Sequence, residues 1–373
     1  MQHYDFLVIG AGIAGASLAY RLAPHGSVGI FEQEFSPGFH ATGRSTATYV
    51  QSYGNSVIRA LTAASREFFM SPPDGFCDVP LVHPRGNLRF GQKGDQARLE
   101  QEYAACAPLV PDLQILGPSD ALGLCPALNP DYVSIALYEP GACDMDVDAL
   151  LQGYLRSARA NGARLHTNAK LTSIERKASL WHVGTSSCRF SARTIINAAG
   201  AWADDIARMA HVKPCGITPK RRTVACFAPD PMWDFRRWPL VRNAKESFYF
   251  KPFSGTLLVT PADETPCLPC DSQPEEIDLA IALDRLRQET LLAPSTIASS
   301  WAGLRSFTAN ETPVIGFASD QPDFFWLAGL GGAGIQTSPA AGLAAALMIT
   351  EQPWPGSLTA AGLTRDQLIS HGL

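Results

Sequence analysis

The sequence predicts an α/β protein of two domains, one of alternating strands and helices and one of mainly antiparallel strands. Three observations indicate this class. A strand, a glycine-rich turn and a helix follow one another at 6–26, and the same alternation returns at 146–210. Strands dominate the stretches at 79–142 and 214–300. With 373 residues the chain is also too long for one ordinary hydrophobic core.

The first strand–helix unit has the pattern of a nucleotide-binding turn. Residues 6–9 form a short apolar run, typical of a strand buried on both faces, which leads into Gly10, Gly12 and Gly15. Gly10 permits a tight turn, Gly12 lets backbone amides approach a pyrophosphate, and Gly15 allows close contact between helix and sheet. The helix that follows directs its amino terminus at the anion.

The second strand, SVGIFEQ, ends beside an acid. Glu32 follows Gly10 by 22 residues, the spacing at which a carboxylate accepts hydrogen bonds from an adenosine ribose. No arginine stands beside Glu32 to favour a 2′-phosphate. The unit therefore predicts a Rossmann-type domain that binds FAD or NAD rather than NADP.

The remaining elements follow in order. A connection rich in Gly, Ser and Thr precedes an amphipathic helix at 56–70, and 79–142 predicts short strands and turns. A helix at 146–162 and strands at 163–167, 171–176, 180–184 and 193–197 follow, and a helix at 202–210 comes next. We expect a first domain of 1–80, 144–213 and 300–373, and a second of 81–143 and 214–299.

Two later turns also combine small residues with a strand end. TIINAAGAW at 194–202 places Asn197 and Gly200 before a helix, and Gly329 to Gly334 precede the last long helix. Several such turns suit a long, folded cofactor that touches many loops, which favours FAD over NAD.

Composition excludes several classes of protein. The net charge of −5 argues against binding nucleic acid or an anionic membrane, and no apolar run is long enough to span a bilayer. The first strand begins too close to Met1 to leave room for a signal peptide, so we expect a cytoplasmic protein. Cys267 and Cys270 form a CxxC without a second ligand pair, so no metal site is predicted.

At this point the sequence resembles FAD-dependent amino acid oxidoreductases of the D-amino acid oxidase and glycine/sarcosine oxidase type, most closely the D-arginine dehydrogenase-like branch. The resemblance runs through DFLVIGAGIAGASLAYRLAPHG, PGFHATGRST, FCDVPLVHPRG, DALLQGYLR, INAAGAWADDIA, PKRRTVACFAP, ESFYFKP, SWAGLRSF and GGAGIQTS. It implies noncovalent FAD in the first domain, with substrate bound over the flavin beneath the sheet of the second.

The resemblance also implies roles for particular residues. Arg222 and Arg305 resemble a carboxylate clamp, and Tyr53 and Tyr249 resemble walls of the substrate pocket. Lys220, Arg221 and Arg222 are consecutive, so at least one of them should point away from the pocket in a strand. The implied cofactor contacts are Gly10, Gly12, Ile13, Ala14, Gly15, Glu32, Gln33, Thr42, Gly43, Arg44, Ser45, Asn197, Ala198, Ala199, Gly200, Trp202, Gly331, Gly332, Gly334, Ile335, Gln336 and Thr337.

The implied reaction is oxidation of a D-amino acid to an imino acid, which water converts to a 2-oxo acid and ammonia, with oxygen or a quinone-like acceptor reoxidising the flavin. We expect a dehydrogenase. Members that take cationic substrates carry a carboxylate at the position of Asn87 and a His at that of Thr48. Together with Val50, and with Gly332 at the pocket, these departures predict neutral or apolar D-amino acids rather than D-arginine.

Two alternatives remain open. The same fold and clamp would serve a 2-hydroxy acid or N-alkyl amino acid (sarcosine-like) oxidoreductase. A non-catalytic flavin-binding regulatory protein would bind FAD that no such compound reduces.

Overall fold

The protein is described by a computed structural model that covers residues 1–369. Its strands are β1 (Gln2–Ile9), β2 (Val28–Phe31), β3 (Thr48–Tyr49), β4 (Val82–Pro84), β5 (Asn87–Gly91), β6 (Gln114–Leu116), β7 (Ile135–Glu139), β8 (Cys143–Met145), β9 (Arg164–His166), β10 (Leu171–Lys177), β11 (Leu180–Thr185), β12 (Arg189–Asn197), β13 (Thr218–Phe227), β14 (Leu240–Asn243), β15 (Tyr249–Phe253), β16 (Thr256–Thr260), β17 (Thr265–Pro266), β18 (Ser299–Phe307), β19 (Val314–Phe317) and β20 (Phe324–Ala328). Its α-helices are α1 (Ile13–Leu22), α2 (Ser56–Met70), α3 (Gln96–Cys106), α4 (Pro118–Leu124), α5 (Val147–Ala160), α6 (Ala203–Met209), α7 (Glu276–Glu289), α8 (Gly334–Ile349), α9 (Gly356–Ala360) and α10 (Arg365–Ile369).

The first sheet has eight strands, and its centre is parallel. β9, β2, β1 and β12 lie side by side in parallel, and β20 pairs in parallel with the end of β12. Alternate residues of β1 enter different cores because side chains alternate across a strand. Val8 packs with α1, α5 and α8, whereas Leu7 and Ile9 pack on the side of α6. The apolar run at 6–9 is therefore buried on both faces, as the sequence predicts.

The second sheet has nine strands in the order β17-β13-β16-β15-β14-β5-β7-β6, with β18 on the other side of β13. Its pairs are antiparallel except for β14 with β5, so the predicted mainly antiparallel sheet is confirmed. Leu88, Val241 and Phe250 pack with α7 in one core. The residues next to them in sequence, which are Arg89, Arg242 and Tyr249, line a cavity on the opposite face.

Several predicted elements have the expected bounds, and others were missed. The helix predicted at 56–70 is α2, and the helix predicted at 146–162 is α5. The prediction of only strands and turns at 79–142 is wrong, because α3 and α4 lie there, and α7 lies within the strand-rich stretch at 214–300. α7 buries only Asp278, Ala282 and Leu286 on a narrow stripe, so its sequence lacks the broad apolar face that marks an amphipathic helix.

The division into two discontinuous domains stays a prediction. β18 starts at Ser299 and pairs with β13 along its whole length. The predicted boundary between 299 and 300 thus falls at the beginning of a strand of the second sheet.

Within residues 1–369, no helix combines the length and apolar character that crossing a bilayer requires.

Candidate active site

Two adjoining cavities lie between the sheets. The first, of about 480 Å³, opens at the carboxyl ends of the parallel strands of the first sheet. The second, of about 800 Å³, lies against the second sheet. Ser45, Thr46, Arg222, Arg305 and Gly332 line both cavities and so mark the place where they meet. Ligands of open parallel sheets bind at this edge, which makes the first cavity the candidate cofactor site.

The glycines of the first turn are required by close backbone approaches. Gly10 has a φ of +100°, and a Cβ placed on it would lie 2.5 Å from the carbonyl oxygen of Ala198. A Cβ on Gly15 would lie 2.0 Å from the carbonyl oxygen of Gly10. Gly15 therefore does what the sequence predicts, since it lets α1 pack tightly against the turn.

Polar side chains hold this turn beneath the first cavity. Glu32 is 8% exposed, and its two carboxylate oxygens accept hydrogen bonds from the amides of Ala11 (2.9 Å) and Glu34 (3.0 Å). Thr42 Oγ1 accepts from the amide of Ile13 at 3.0 Å. The carboxylate faces the cavity together with the amino terminus of α1. A dinucleotide fits this donor set, because the helix end attracts its phosphates and Glu32 can accept from its ribose.

Most of the predicted cofactor residues line the first cavity. They are Gly10, Gly12, Ile13, Ala14, Glu32, Gln33, Thr42, Arg44, Ser45, Ala198, Ala199, Gly200, Trp202, Gly331, Gly332, Gly334 and Ile335. Gly15, Gly43, Asn197 and Thr337 line neither cavity, and Gln336 lines the second. Asn197 is buried and shapes the turn, because its Nδ2 donates to the carbonyl of Ala203 at 2.8 Å.

Two arginines and two tyrosines surround the junction of the cavities. Within the described part of the chain, Arg305 makes one hydrogen bond, from Nη2 to Tyr249 Oη at 3.4 Å. Arg222 Nε donates to the carbonyl of Asp263 at 2.8 Å, and its Nη2 donates to Glu264 Oε1 at 3.2 Å. Arg305 consequently keeps most of its N–H donors available, whereas Arg222 is partly anchored.

The three consecutive cations at 220–222 diverge as predicted. Arg221 points to the opposite face of the sheet, where it pairs with Asp278 and Glu275 of the α7 region. Lys220 donates to Glu264 at 2.8 Å. Arg222 is the residue of the three that lines both cavities.

The two arginines change the acidity of Tyr249. Burial by itself would raise the pKa of the Tyr249 hydroxyl, but Arg305 and Arg222 outweigh burial and lower it to about 8. Burial and the neighbouring Arg305 lower the pKa of Arg222. The pKa of Arg305 is raised, because Tyr249 and Tyr53 outweigh the opposing effect of burial. The junction is therefore a cationic place that favours an anion.

The turn before α8 brings backbone against these side chains. A Cβ on Gly332 would lie 2.8 Å from Tyr53 Oη and 3.0 Å from Arg305 Nη1. No larger residue fits there without moving both groups.

The predicted substrate-pocket residues are only partly brought together. Thr48 and Val50 line the second cavity, and Val50 packs with Leu240 near Tyr53 and Tyr249. Asn87 lines neither cavity. It is buried on β5, and its Oδ1 has no hydrogen-bond partner among residues 1–369.

Cations at the far end of the second cavity were not predicted from the sequence. Arg59, Arg89, Arg98, Arg242 and Lys245 line it, with Glu102 and Glu246. Arg89 and Arg242 are each 7% exposed. A signal was present, because each is a charged residue inside an apolar strand, in NLRFG and LVRN. A buried strand position rarely carries a charge without a partner or a function.

Comparison with known proteins identifies relatives along almost the whole chain. A profile of the DAO family, described as "FAD dependent oxidoreductase", matches residues 5–348. Glycine oxidase of Geobacillus kaustophilus (strain HTA426) is 24% identical over 98% of this chain and 98% of its own length. The mitochondrial dimethylglycine dehydrogenase of Rattus norvegicus is 26% identical over 69% of this chain and 30% of its own length.

Solved structures share the fold. The crystal structure of the Geobacillus kaustophilus glycine oxidase superposes with a TM-score of 0.81 and 22% identity, covering 98% of this chain and 99% of the other. The L-alpha-glycerophosphate oxidase of Mycoplasma pneumoniae with FAD bound superposes with a TM-score of 0.83 and 19% identity, covering 95% and 96%.

Proposed function

The chain belongs to the DAO family of FAD-dependent oxidoreductases, and from that premise we propose that it oxidises the carbon–nitrogen bond of a D-amino acid. One observation carries the proposal. Arg305, Arg222, Tyr249 and Tyr53 meet where the candidate cofactor cavity joins the second cavity. An amino acid whose carboxylate binds there has its Cα beside the cofactor site.

Arg305 is the principal carboxylate ligand in this proposal. A guanidinium offers a planar fork of N–H donors that matches a carboxylate, and Arg305 uses only one donor on Tyr249 within the described chain. Arg222 adds a second positive charge from β13, and the hydroxyls of Tyr53 and Tyr249 can donate to the same anion. Fixing the carboxylate fixes the direction of the Cα–H bond, which is the requirement for stereochemical choice.

The residues of the first cavity would hold FAD. The amino terminus of α1 would face its phosphates, Glu32 its adenosine ribose, and the backbone of Gly331 and Gly332 its ring system. When bound, FAD supplies the two-electron acceptor for the hydride lost from Cα.

The chemical balance is simple. The Cα–H bond breaks with its electron pair, the amine loses one proton, and a carbon–nitrogen double bond forms. Water then adds to that carbon, and the products are a 2-oxo acid and ammonia. If the substrate amine is neutral, this chain needs no strong general base, and its residues hold and orient the substrate. Oxygen or a quinone-like compound takes up the two electrons, and we favour a dehydrogenase.

Cationic side chains are disfavoured in this proposal. The arginines around the second cavity would repel a cationic side chain, and Thr48 and Val50, which also line it, supply no carboxylate to offset that repulsion. The apolar contacts of Val50 and Leu240 suit the first carbons of a side chain.

An N-alkyl amino acid is the second candidate. Glycine oxidase and dimethylglycine dehydrogenase both resemble this chain in sequence, and both names describe substrates without a side chain at Cα. The same clamp would hold their carboxylate.

Anaerobic mixing of the purified holoenzyme with candidate substrates tests the proposal. The panel contains D- and L-amino acids, sarcosine, and D- and L-2-hydroxy acids, and the loss of flavin absorbance is recorded. We expect D-amino acids to bleach the flavin. Bleaching only by sarcosine or by a 2-hydroxy acid would replace the substrate class, and no bleaching by any of them would support a non-catalytic flavin protein.

A further inference from the structure

A row of side chains crosses one face of the second sheet. Arg242 of β14 lies directly opposite Tyr249 on antiparallel β15, and it also lies opposite Arg89 on parallel β5. Residues opposite one another on neighbouring strands project from the same face, about 5 Å apart at the backbone. The carboxylate clamp therefore lies on one side of Tyr249, and two further arginines lie on the other.

The two ends of this row are close enough to share one small molecule. Arg305 Nη2 donates to Tyr249 Oη at 3.4 Å, and Arg242 lies opposite Tyr249 on the neighbouring strand. Both arginines, Tyr249 and Tyr53 line the second cavity. The tyrosines thus lie between two cationic centres that face the same space.

Arg89 and Arg242 are incompletely paired although they are buried. Each is 7% exposed, and the Nε of each has no hydrogen-bond partner within residues 1–369. Arg242 makes one hydrogen bond in that part of the chain, from Nη1 to Glu246 Oε1 at 3.4 Å. Arg89 pairs with Glu102 and also with Glu246, so the two guanidiniums share one carboxylate. Buried donors without acceptors are rare in folded proteins, and here they line a cavity.

The charge around the cavity is unbalanced. Seven of its lining side chains are Arg or Lys, against four Glu. Burial first, and then Arg242, Arg98 and Arg59, lower the pKa of Arg89. Burial likewise lowers the pKa of Arg242, and the neighbouring carboxylate of Glu139 opposes that effect. These cations repel one another, and an anion placed among them would relieve that repulsion.

We infer that the substrate carries a second carboxylate, which binds at Arg242 and Arg89 while the first binds at Arg305 and Arg222. This inference rests on the proposed function and names its substrate class: a D-amino acid with an acidic side chain, or an amino acid with a carboxylate on its nitrogen substituent. Val50 and Leu240 contact the short carbon chain between the two carboxylates. In this inference Val50 contacts only the part of the substrate next to Cα, and the acidic substrate differs from the neutral or apolar one expected from the sequence.

Substrates with a second carboxylate and counterparts without that charge provide the first test. We compare kcat/KM of the holoenzyme for D-glutamate with D-glutamine, D-aspartate with D-asparagine, and iminodiacetate with sarcosine. We expect each acid to exceed its neutral counterpart by on the order of tenfold to hundredfold, as loss of a buried charge pair implies. The pair with the larger ratio shows whether the second carboxylate belongs to the side chain or to the nitrogen substituent.

Variants locate the effect. We expect Arg242→Gln to reduce the acid-to-amide ratio by on the order of tenfold or more. Arg236→Gln, at a side chain that is 88% exposed, is the matched control and should leave the ratio at its wild-type value. Glu246→Gln removes the carboxylate that occupies both arginines and should raise the ratio. This second variant keeps the test decisive if Arg242→Gln does not fold.

Binding without turnover gives an independent readout. We expect glutarate to perturb the flavin spectrum at lower concentration than butyrate, and Arg242→Gln to remove that difference.

The outcomes separate the two proposals. If neutral amino acids bleach the flavin as well as acidic ones do, the function stands and this inference is overturned. If acids are preferred but Arg242→Gln and Glu246→Gln leave the ratio unchanged, the assignment to Arg242 and Arg89 is overturned. If no amino acid bleaches the flavin, the proposed function itself fails.

Discussion

The two cavities of this protein are built from different parts of the polypeptide. Backbone lines much of the first, with glycines and alanines at the ends of β1 and β12 and before α8. Charged and aromatic side chains dominate the second, and they come from strands far apart in sequence, such as β5, β14 and β18. One site thus depends on where side chains are absent, and the other on which side chains are present.

This difference decides how each site responds to substitution. A backbone cradle fails when a single Cβ is added, because its neighbours are backbone atoms that cannot rotate away. A side-chain pocket keeps its shape when one long side chain changes, but it loses affinity for the charge that the side chain bound. Substitutions in the two cavities should therefore differ in the size and the kind of their effect.

Gly15→Ala should damage the first cavity most. Its new Cβ would lie 2.0 Å from the carbonyl oxygen of Gly10, so α1 or the turn must move. We expect a loss of about 3 kcal/mol or more in the free energy of unfolding, together with loss of bound FAD. Thermal unfolding and the flavin content of the purified protein measure both. Gly123→Ala, where an added Cβ meets nothing within 4 Å, is the control, and equal stability of the two variants would contradict the cradle description.

Arg305→Met should weaken substrate binding in the second cavity without releasing the cofactor from the first. It removes two charge-assisted hydrogen bonds to the substrate carboxylate, each of about 1.5 to 3 kcal/mol, so kcat/KM should fall by on the order of a hundredfold or more. FAD should remain bound. Steady-state kinetics with the best D-amino acid measure the effect, beside Arg236→Met as an exposed control. Unchanged turnover in Arg305→Met would refute the clamp.

The ionisation of Tyr249 should make anion binding depend on pH. Its hydroxyl has a pKa lowered to about 8, so it is neutral below that pH and a phenolate above it. The phenolate neutralises Arg305 and Arg222 and cannot donate to a carboxylate. We therefore expect the Kd of acetate, which has no amine to titrate, to rise about tenfold from pH 7 to pH 9.

Flavin absorbance reports this binding. Tyr249→Phe should bind acetate with a Kd that stays level over the same pH range. A rise of equal size in that variant would show that another group titrates.

Asn87→Asp should have the smallest effect on substrate choice. The sequence predicts that it improves use of D-arginine or D-lysine relative to D-leucine. In the structure Asn87 lies outside both cavities, and we expect the ratio of kcat/KM for D-lysine to D-leucine to change by less than about twofold. Thr48→Asp, at a residue that lines the second cavity, is the comparison and should raise that ratio. A large rise in this ratio for Asn87→Asp would show that Asn87 does contact the substrate side chain.

Elements whose features lie within one short segment could be predicted from the sequence, whereas elements that depend on distant contacts could not. The α1 unit could be predicted because its strand, glycines, helix and acid lie within one short segment, where spacing alone determines geometry. Helix α2 could be predicted from its apolar period and its Asn55 cap, which accepts from the amide of Ile58 at 3.0 Å. Helix α7 could not be predicted, because few of its residues are buried and they pack against strands that are distant in sequence.

The candidate substrate site was predictable only in part. Arg305, Arg222, Tyr53 and Tyr249 were reached through a resemblance, and the structure places all four at one junction. Arg242 and Arg89 were missed. Their charge matters because β14 pairs with β5 and with β15, and those pairings join residues separated by 153 positions in one case and 7 in the other.

The glycine turn of the first cavity, the acid at the end of the second strand and the dinucleotide cofactor could therefore be predicted from the amino-acid sequence. These features are mostly local, since the strand, glycines, helix and acid lie within residues 6–32 and glycine permits the φ of +100° at Gly10, although a Cβ there would also meet the distant carbonyl of Ala198. The second cavity, in contrast, depends on how distant strands pair. Strand pairing places distant arginines on one face of the sheet, and the surrounding layers bury them. Burial matters because an incompletely paired guanidinium attracts an anion far more strongly inside a protein than in water.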